Sequence, residues 1–381
     1  MTITLLNKFH KTCKETSLFH RYITLQHISP LLKKLEHHFD IRIIGQSVLG
    51  LSIHAIKIGT GNHKILMWSQ MHGNESTTTK AVFDLCNLFA ENDHDKVRNI
   101  LKSCTIAIIP MLNPDGAKAY TRLNANGVDL NRDAQKLSQP ESKILRSFFN
   151  DFKPDFCFNL HGQRTIFSAG NSNFPATISF LAPAQDERCT ITENRKKAME
   201  IISAMNVILQ GQIPNQVGIY DDAFNINCVG DTFQTQNVPT ILVEAGHYTN
   251  DYPREETRRL VFQSLLTALN YIATTKITGD SYKPYFDIPE NEKLFYDIII
   301  RNASVNSQIQ DIGIMYQEKL IKNKVEFIPV VEKISNLKSF YAHRKINANK
   351  NEVFADDLKP LNEGVEIDFV LIKNERISLI L

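Results

Sequence analysis

The chain has 381 residues, 43% of them hydrophobic, with a formal net charge of +2. That length exceeds what one core usually covers, so a large domain with a small companion is expected. The near-balanced charge, with Lys and Arg scattered in short runs such as Arg195-Lys196-Lys197, gives no electrostatic footprint for nucleic acid or an anionic membrane.

The first sixteen residues lack a basic start followed by a long apolar run, so no leader is expected, and no stretch approaches the 18 or so apolar residues of a membrane span. Six cysteines without C-x-x-C spacing, several inside apolar runs, read as reduced, hydrophobic residues and point to a cytoplasmic protein.

In chain order, residues 1 to 38 read as two helical pieces broken at Tyr22-Ile23-Thr24. Ile41 to Leu49 and Leu51 to Ile58 alternate around Gly50 as an antiparallel hairpin. Ile65 to Trp68 is a buried strand that stops at His72-Gly73-Asn74-Glu75, followed by an amphipathic run from Lys80 to Ala90. Cys104 to Leu112 is a second buried strand, closed by the turn signal Asn113-Pro114-Asp115-Gly116. A helix over Pro140 to Phe152 precedes a third strand, Phe156 to Leu160, which ends at His161. After a helix over Glu193 to Leu209 comes a fourth strand, Pro239 to Val243, ending at Glu244, and then a helix over Arg254 to Thr274. Strands alternating with helices predict an α/β fold: a mixed, mainly parallel central sheet with helices on both faces. The composition changes near Tyr282-Lys283-Pro284. The expected division is therefore a catalytic domain over 1–282 and a small β-rich domain of open role over 283–381.

Four buried strands ending in His72/Glu75, Asn113 to Gly116, His161 and Glu244 are hard to explain by packing, because each buried ionisable group loses hydration unless it is paired or bound. His72 and Glu75, three residues apart on one turn, can converge on a metal ion. The other reading of the pair is a surface His beside a Glu in the first turn of a helix. Between the second and third strands, Thr121 to Arg132 holds Arg122, Asn131 and Arg132, suited beside a metal to an anionic substrate group and a developing oxyanion, while Asn131-Arg132 alone also reads as a surface loop.

The ordered motifs H-G-N-E, N-P-D-G and G-V-D-L-N-R (Gly127 to Arg132), then a His and later a Glu each closing a strand, resemble the zinc metallocarboxypeptidases related to pancreatic carboxypeptidase, as found in bacteria, over roughly residues 60 to 275. The resemblance implies one zinc ion per chain held by His72, Glu75 and His161, with Glu244 as general base and Arg122 polarising the scissile carbonyl. It also implies that Asn131 and Arg132 hold the substrate's terminal carboxylate and that Asp129 orients His72. A tyrosine that closes over substrate in the family has Tyr220 as its best match here, with Tyr248 as another. The implied substrate is a peptide with a free carboxylate, cleavage of cell-wall peptides by bacterial relatives included. Val243-Glu244-Ala245-Gly246 also resembles the acylamino-acid deacylases, so an N-acyl amino acid is the alternative substrate, and a non-catalytic binding module on the same fold is a third reading. Asp222 and Asp231 fall where the family forms its side-chain pocket, but turn or cap roles explain both. Oligomeric state is left open.

Overall fold

The computed structural model describes residues 1–91, 93–355 and 361–381. The chain divides into two compact units, Met1–Gln163 with Ala176–Asn291, and Arg164–Pro175 with Glu292–Leu381. Residues 164–175, within the expected catalytic domain, thus group with the second unit.

The first unit is built on an eight-stranded sheet: β1 (Asp40–Gln46), β2 (Ser52–Ile58), β3 (His63–Ser69), β4 (Cys104–Ile109), β5 (Phe156–Gly162), β6 (Ile178–Leu181), β7 (Val217–Ile219) and β8 (Thr240–Ala245), in the order β1-β2-β4-β3-β5-β8-β6-β7. The centre is parallel, β4 with β3, β3 with β5 and β5 with β8, while the β1–β2 hairpin and the β6–β8 pair are antiparallel. This is the mixed, mainly parallel sheet expected from the sequence. Strands β6 and β7 escape sequence reading because four and three residues carry too little periodicity to stand out.

Both faces are covered. Ile65, Met67, Phe158, Leu160, Ile241 and Val243 join one core cluster together with apolar residues of helices α1 (Ile3–Cys13), α2 (Leu25–Leu35), α3 (Thr77–Glu91), α4 (Asp95–Ser103), α7 (Glu193–Gln210) and α9 (Glu255–Thr274). The alternate residues Leu66, Trp68 and Cys157 pack on the other face with α6 (Pro140–Phe152) and α8 (Val229–Thr235); α5 (Pro114–Ala119) is a short helix after β4. Because Cys157 lies on that second face, strand alternation carries Asn159 and His161 there too. Among the described residues no helix is long and apolar enough to cross a membrane.

The second unit holds a four-stranded sheet of β9 (Phe295–Val305), β10 (Gln308–Ile321), β11 (Lys324–Ser335) and β12 (Tyr341–Asn347) in the order β11-β10-β9-β12, with a smaller three-stranded sheet. Its own core includes Ile298, Ile300, Ile312, Ile314, Val331 and Val370.

Candidate metal centre

The site begins with the turn after β3. Gln70 takes the left-handed conformation (φ 49°), unusual for a residue with a side chain. It is held there by its amide, whose Nε2 donates to Ile23 O and Gly73 O, each at 2.8 Å, and whose Oε1 accepts from Thr79 Oγ1 at 2.9 Å. Gly73 has a different task from bending the chain: a Cβ there would lie 1.9 Å from the Gly116 carbonyl carbon. The H-G-N-E turn therefore rests directly on the N-P-D-G segment. That segment, expected to be a turn, starts α5. Asn113 Oδ1 caps it by accepting from Gly116 N at 2.9 Å, while Asn113 Nδ2 donates to Met71 O at 3.2 Å. N-P-D-G contributes a buttress and no ligand.

On this frame His72, Glu75 and His161 converge, and their ligand atoms all lie within 4.8 Å of one another. His72 Nδ1 is 2.9 Å from Glu75 Oε1 and 3.1 Å from His161 Nδ1, which is itself 3.0 Å from Glu75 Oε2. Glu75 Oε2 also accepts from Gly162 N at 3.0 Å. Asp129 Oδ1, 3.1 Å from His72 Nε2, can only accept, so it draws the ring proton to Nε2 and leaves a lone pair on Nδ1. With His72 neutral and the His161 proton on Nε2, three lone-pair-bearing atoms face one point, an arrangement that suits a metal cation. Two imidazoles and a carboxylate are a donor set that suits zinc.

The electrostatics show how strongly the corner attracts positive charge, a proton on His72 when no metal ion is bound. Burial alone would lower the His72 pKa, but the Glu75 charge and the bonds to Asp129 and Glu75 raise it to about 9. Burial would raise Glu75, yet His72 and the His161 bond hold it well below the ordinary carboxylate range. Burial lowers His161.

Glu244 arrives by register. In the parallel pairing of β5 with β8, His161 stands opposite Glu244. Burial and then the negative charge of Glu75 push the Glu244 carboxyl well above its usual pKa, while the charges of His72 and Arg122 pull the other way. Glu244 Oε2 is shielded from solvent and has no hydrogen-bond partner among the described residues. A carboxyl in these surroundings readily holds a proton, the property a general acid–base needs.

Arg122 joins the cluster through Asp129 Oδ2, to which its Nε and Nη2 donate at 3.1 and 3.0 Å, and through Glu75 Oε1 at 3.3 Å from its Nη1. Asn131 and Arg132 form a 3-10 turn directly after Asp129. Asn131 is buried and its Oδ1 accepts from Val229 N at 3.2 Å, so only its Nδ2 can address a substrate; Arg132 is exposed. The Tyr220 phenol is raised by burial and by the charges of Glu244 and Glu75, which puts it within the field of the site. Tyr248 instead packs against the main core cluster. Asp222 pairs with Arg195, and Asp231, raised to about 6 by burial, accepts from Asn225 N at 3.3 Å. Sequence reading missed Gln70 and Gly162, which act through backbone geometry that residue type does not announce.

A model of the zinc carboxypeptidase family matches residues 26–221, a little over half of the chain. The matched span includes the three convergent residues, Arg122, Asp129, Asn131, Arg132 and Tyr220, and stops short of Glu244. Among curated proteins, the chain is 29% identical over 150 residues to carboxypeptidase SOL1 of Arabidopsis thaliana, a match covering 35% of this chain and 30% of that protein. It is 30% identical over 176 residues to carboxypeptidase E of Caenorhabditis elegans, covering 37% of each. The chain thus spans about a third of the length of the curated relatives it matches. A crystal structure of a metallo-carboxypeptidase from Burkholderia cenocepacia superposes with a TM-score of 0.53 at 20% identity, over 65% of this chain and 68% of that one, and shows the shared fold.

Proposed function

Since the chain belongs to the zinc carboxypeptidase family, we propose that it is a zinc-dependent hydrolase that cleaves the amide bond next to the free carboxylate of a peptide. The observation that carries this reading is the convergence of His72 Nδ1, His161 Nδ1 and the Glu75 carboxylate, with Glu244 in register beside His161. When bound, zinc supplies a Lewis acid and lowers the pKa of a water molecule toward about 7.

The side chains divide the remaining work. Glu244 takes a proton from the attacking water on its carboxylate and hands it to the leaving amine. Arg122 donates to the carbonyl oxygen as charge builds there, exchanging its longest contact, the 3.3 Å bond to Glu75, for that oxygen. Deleting such a donor costs about 3 kcal/mol in the barrier. Arg132 and Asn131 Nδ2 take the terminal carboxylate, Arg132 as a planar fork. Asp129 keeps His72 in the tautomer that leaves Nδ1 free to bind. Tyr220 covers the bound substrate. Cys13, Cys86, Cys104 and Cys157 are buried as small hydrophobes, a usage in keeping with a reducing compartment such as the cytoplasm.

The test is a hydrolysis screen of the zinc-loaded chain on peptides varied at the carboxyl end, muropeptide fragments and N-acyl amino acids, with Glu244→Gln as control. The expected result is release of C-terminal residues from peptides, lost by 10²- to 10⁴-fold in the control with zinc retained. Turnover confined to N-acyl amino acids would assign the deacylase reading instead. No turnover of any class would leave the binding-module reading.

A further inference from the structure

Strands β5 and β8 carry His161 and Glu244 in their last turns of the pleat and end at Gly162 and Ala245. Beyond them the ladder runs on by one more bond, Gln163 N to Ala245 O at 3.0 Å, and Gly246 N is held by Thr177 O at 2.8 Å. Arg254 sits eight residues past Gly246, only 1% exposed and in the left-handed conformation at φ 60°. Its Nη2 donates to Gln163 O at 2.9 Å, and its Nη1 donates to both Ala245 O and Gly246 O. One planar side chain therefore grips the carbonyl one residue after Glu244, the next one along, and the one two residues after His161.

Two of those carbonyls have other donors. Ala245 O accepts from Gln163 N, and Gly246 O accepts from Thr257 Oγ1 at 3.1 Å. The start of α9 is capped independently by Asp251, whose carboxylate accepts from the amides of Glu255, Glu256 and Thr257 at 2.8 to 3.0 Å. Of the three carbonyls, then, Gln163 O alone relies on the guanidinium for a donor among the described residues, and the other two are satisfied without it. Yet burying a cation and holding a side-chain-bearing residue at positive φ are both unfavourable. Such features persist where the surroundings over-determine them, and they cluster at functional sites. The packing leaves little slack: a Cβ on Gly246 would lie 2.1 Å from Ala176 O and 2.4 Å from Gln163 Nε2.

We propose that Arg254 is a positioning residue for the hydrolytic reaction, its rigid fork tying the end of β5 to the end of β8 and so fixing the Glu244 carboxylate relative to His161. The proposal rests on the reading of Glu244 as the base. Lys in its place keeps the charge but loses the fork geometry; Met loses both. A displacement of about 1 Å between base and reacting atoms is enough for a 10²-fold loss of rate.

The experiment compares the zinc-loaded wild type, Arg254→Lys and Arg254→Met by kcat and KM on a cleaved peptide, zinc content, and hydrogen exchange at the Gln163 and Gly246 amides. The expected result for Arg254→Met is a kcat lower by about 10- to 100-fold with KM and zinc content unchanged and exchange at both amides at least about tenfold faster, with Arg254→Lys between it and the wild type. A kcat within twofold of the wild type in Arg254→Met overturns the proposal, and so does a loss of zinc in step with activity in both variants. If Arg254→Met does not fold, Arg254→Lys decides, and an unchanged kcat there overturns it. If the wild type cleaves no peptide, the functional reading has failed, while unchanged exchange at the two amides in these variants would separately refute the tie between the strands.

Discussion

Helix α3 separates two clusters of buried charge that obey opposite rules. Inside it and across to α9, Lys80 donates to Glu255 Oε1 at 2.5 Å and Pro253 O at 3.0 Å, and Arg258 grips both oxygens of Asp84 at 2.6 and 2.7 Å while reaching Leu18 O and Glu15 O. Donors meet acceptors throughout, so the cluster closes on itself and ties the amino-terminal segment to the helical layer. Just before α3, at Glu75, the balance differs: two imidazole nitrogens and a carboxylate crowd within about 3 Å of one another, and a proton or a metal cation between them is needed to relieve it. The difference teaches how to tell a structural ion network from a binding site: the structural one is complete without a ligand, and the site lacks a cation.

Breaking the closed cluster should damage the fold and spare the metal. Arg258→Met strips Asp84 of its bidentate partner and leaves a buried carboxylate uncompensated, an expected loss of about 3–5 kcal/mol in unfolding free energy. Urea unfolding measures it, and a loss below about 1 kcal/mol would show that the pair does not hold the fold together.

Acid should open the same cluster. Burial alone would raise Glu255, but the nearby charge of Lys80 and the bonds from Lys14 and Lys80 lower it from 4.5 to about 2. The unfolded chain therefore takes up this proton first, and the contribution, present above pH 4.5, is lost as pH falls through the folded value near 2. The gap corresponds to roughly 3 kcal/mol. Stability curves of the wild type and Glu255→Gln should converge across that window; parallel curves would remove Glu255 from the account.

The open cluster should respond in the reverse way. Asp129→Asn leaves the fold intact but no longer fixes the His72 tautomer, so zinc affinity should fall about 10- to 100-fold in a chelator competition. Equal affinities would mean that Asp129 does not orient the ligand.

Much of this contrast was legible in the residues, and some was not. Runs such as Cys104 to Leu112 declare buried parallel strands because no polar alternation interrupts them. The metal corner is legible because His72, Glu75 and His161 each close such a run, where burial without a partner would be unfavourable. The closed cluster was hidden. Lys80 and Asp84 give α3 the look of an amphipathic surface helix, whereas both are fully buried against partners more than 170 positions away. Gly73 reads as a flexible turn residue, yet what requires it is the neighbouring backbone of Gly116, a contact between segments that no local pattern encodes. The strand Gln308–Ile321 went unread because half-buried and exposed polar residues break its alternation and a register shift falls between Gly313 and Ile314.

The corner formed by His72, Glu75 and His161 should hold zinc, and metal analysis of the purified chain beside His161→Ala measures whether it does. About one zinc per wild-type chain is expected after dialysis, by the ligand count of such sites, and none in a His161→Ala variant whose circular dichroism is unchanged. A wild type that holds no zinc when supplied with it, or a His161→Ala variant that keeps as much as the wild type, would contradict it.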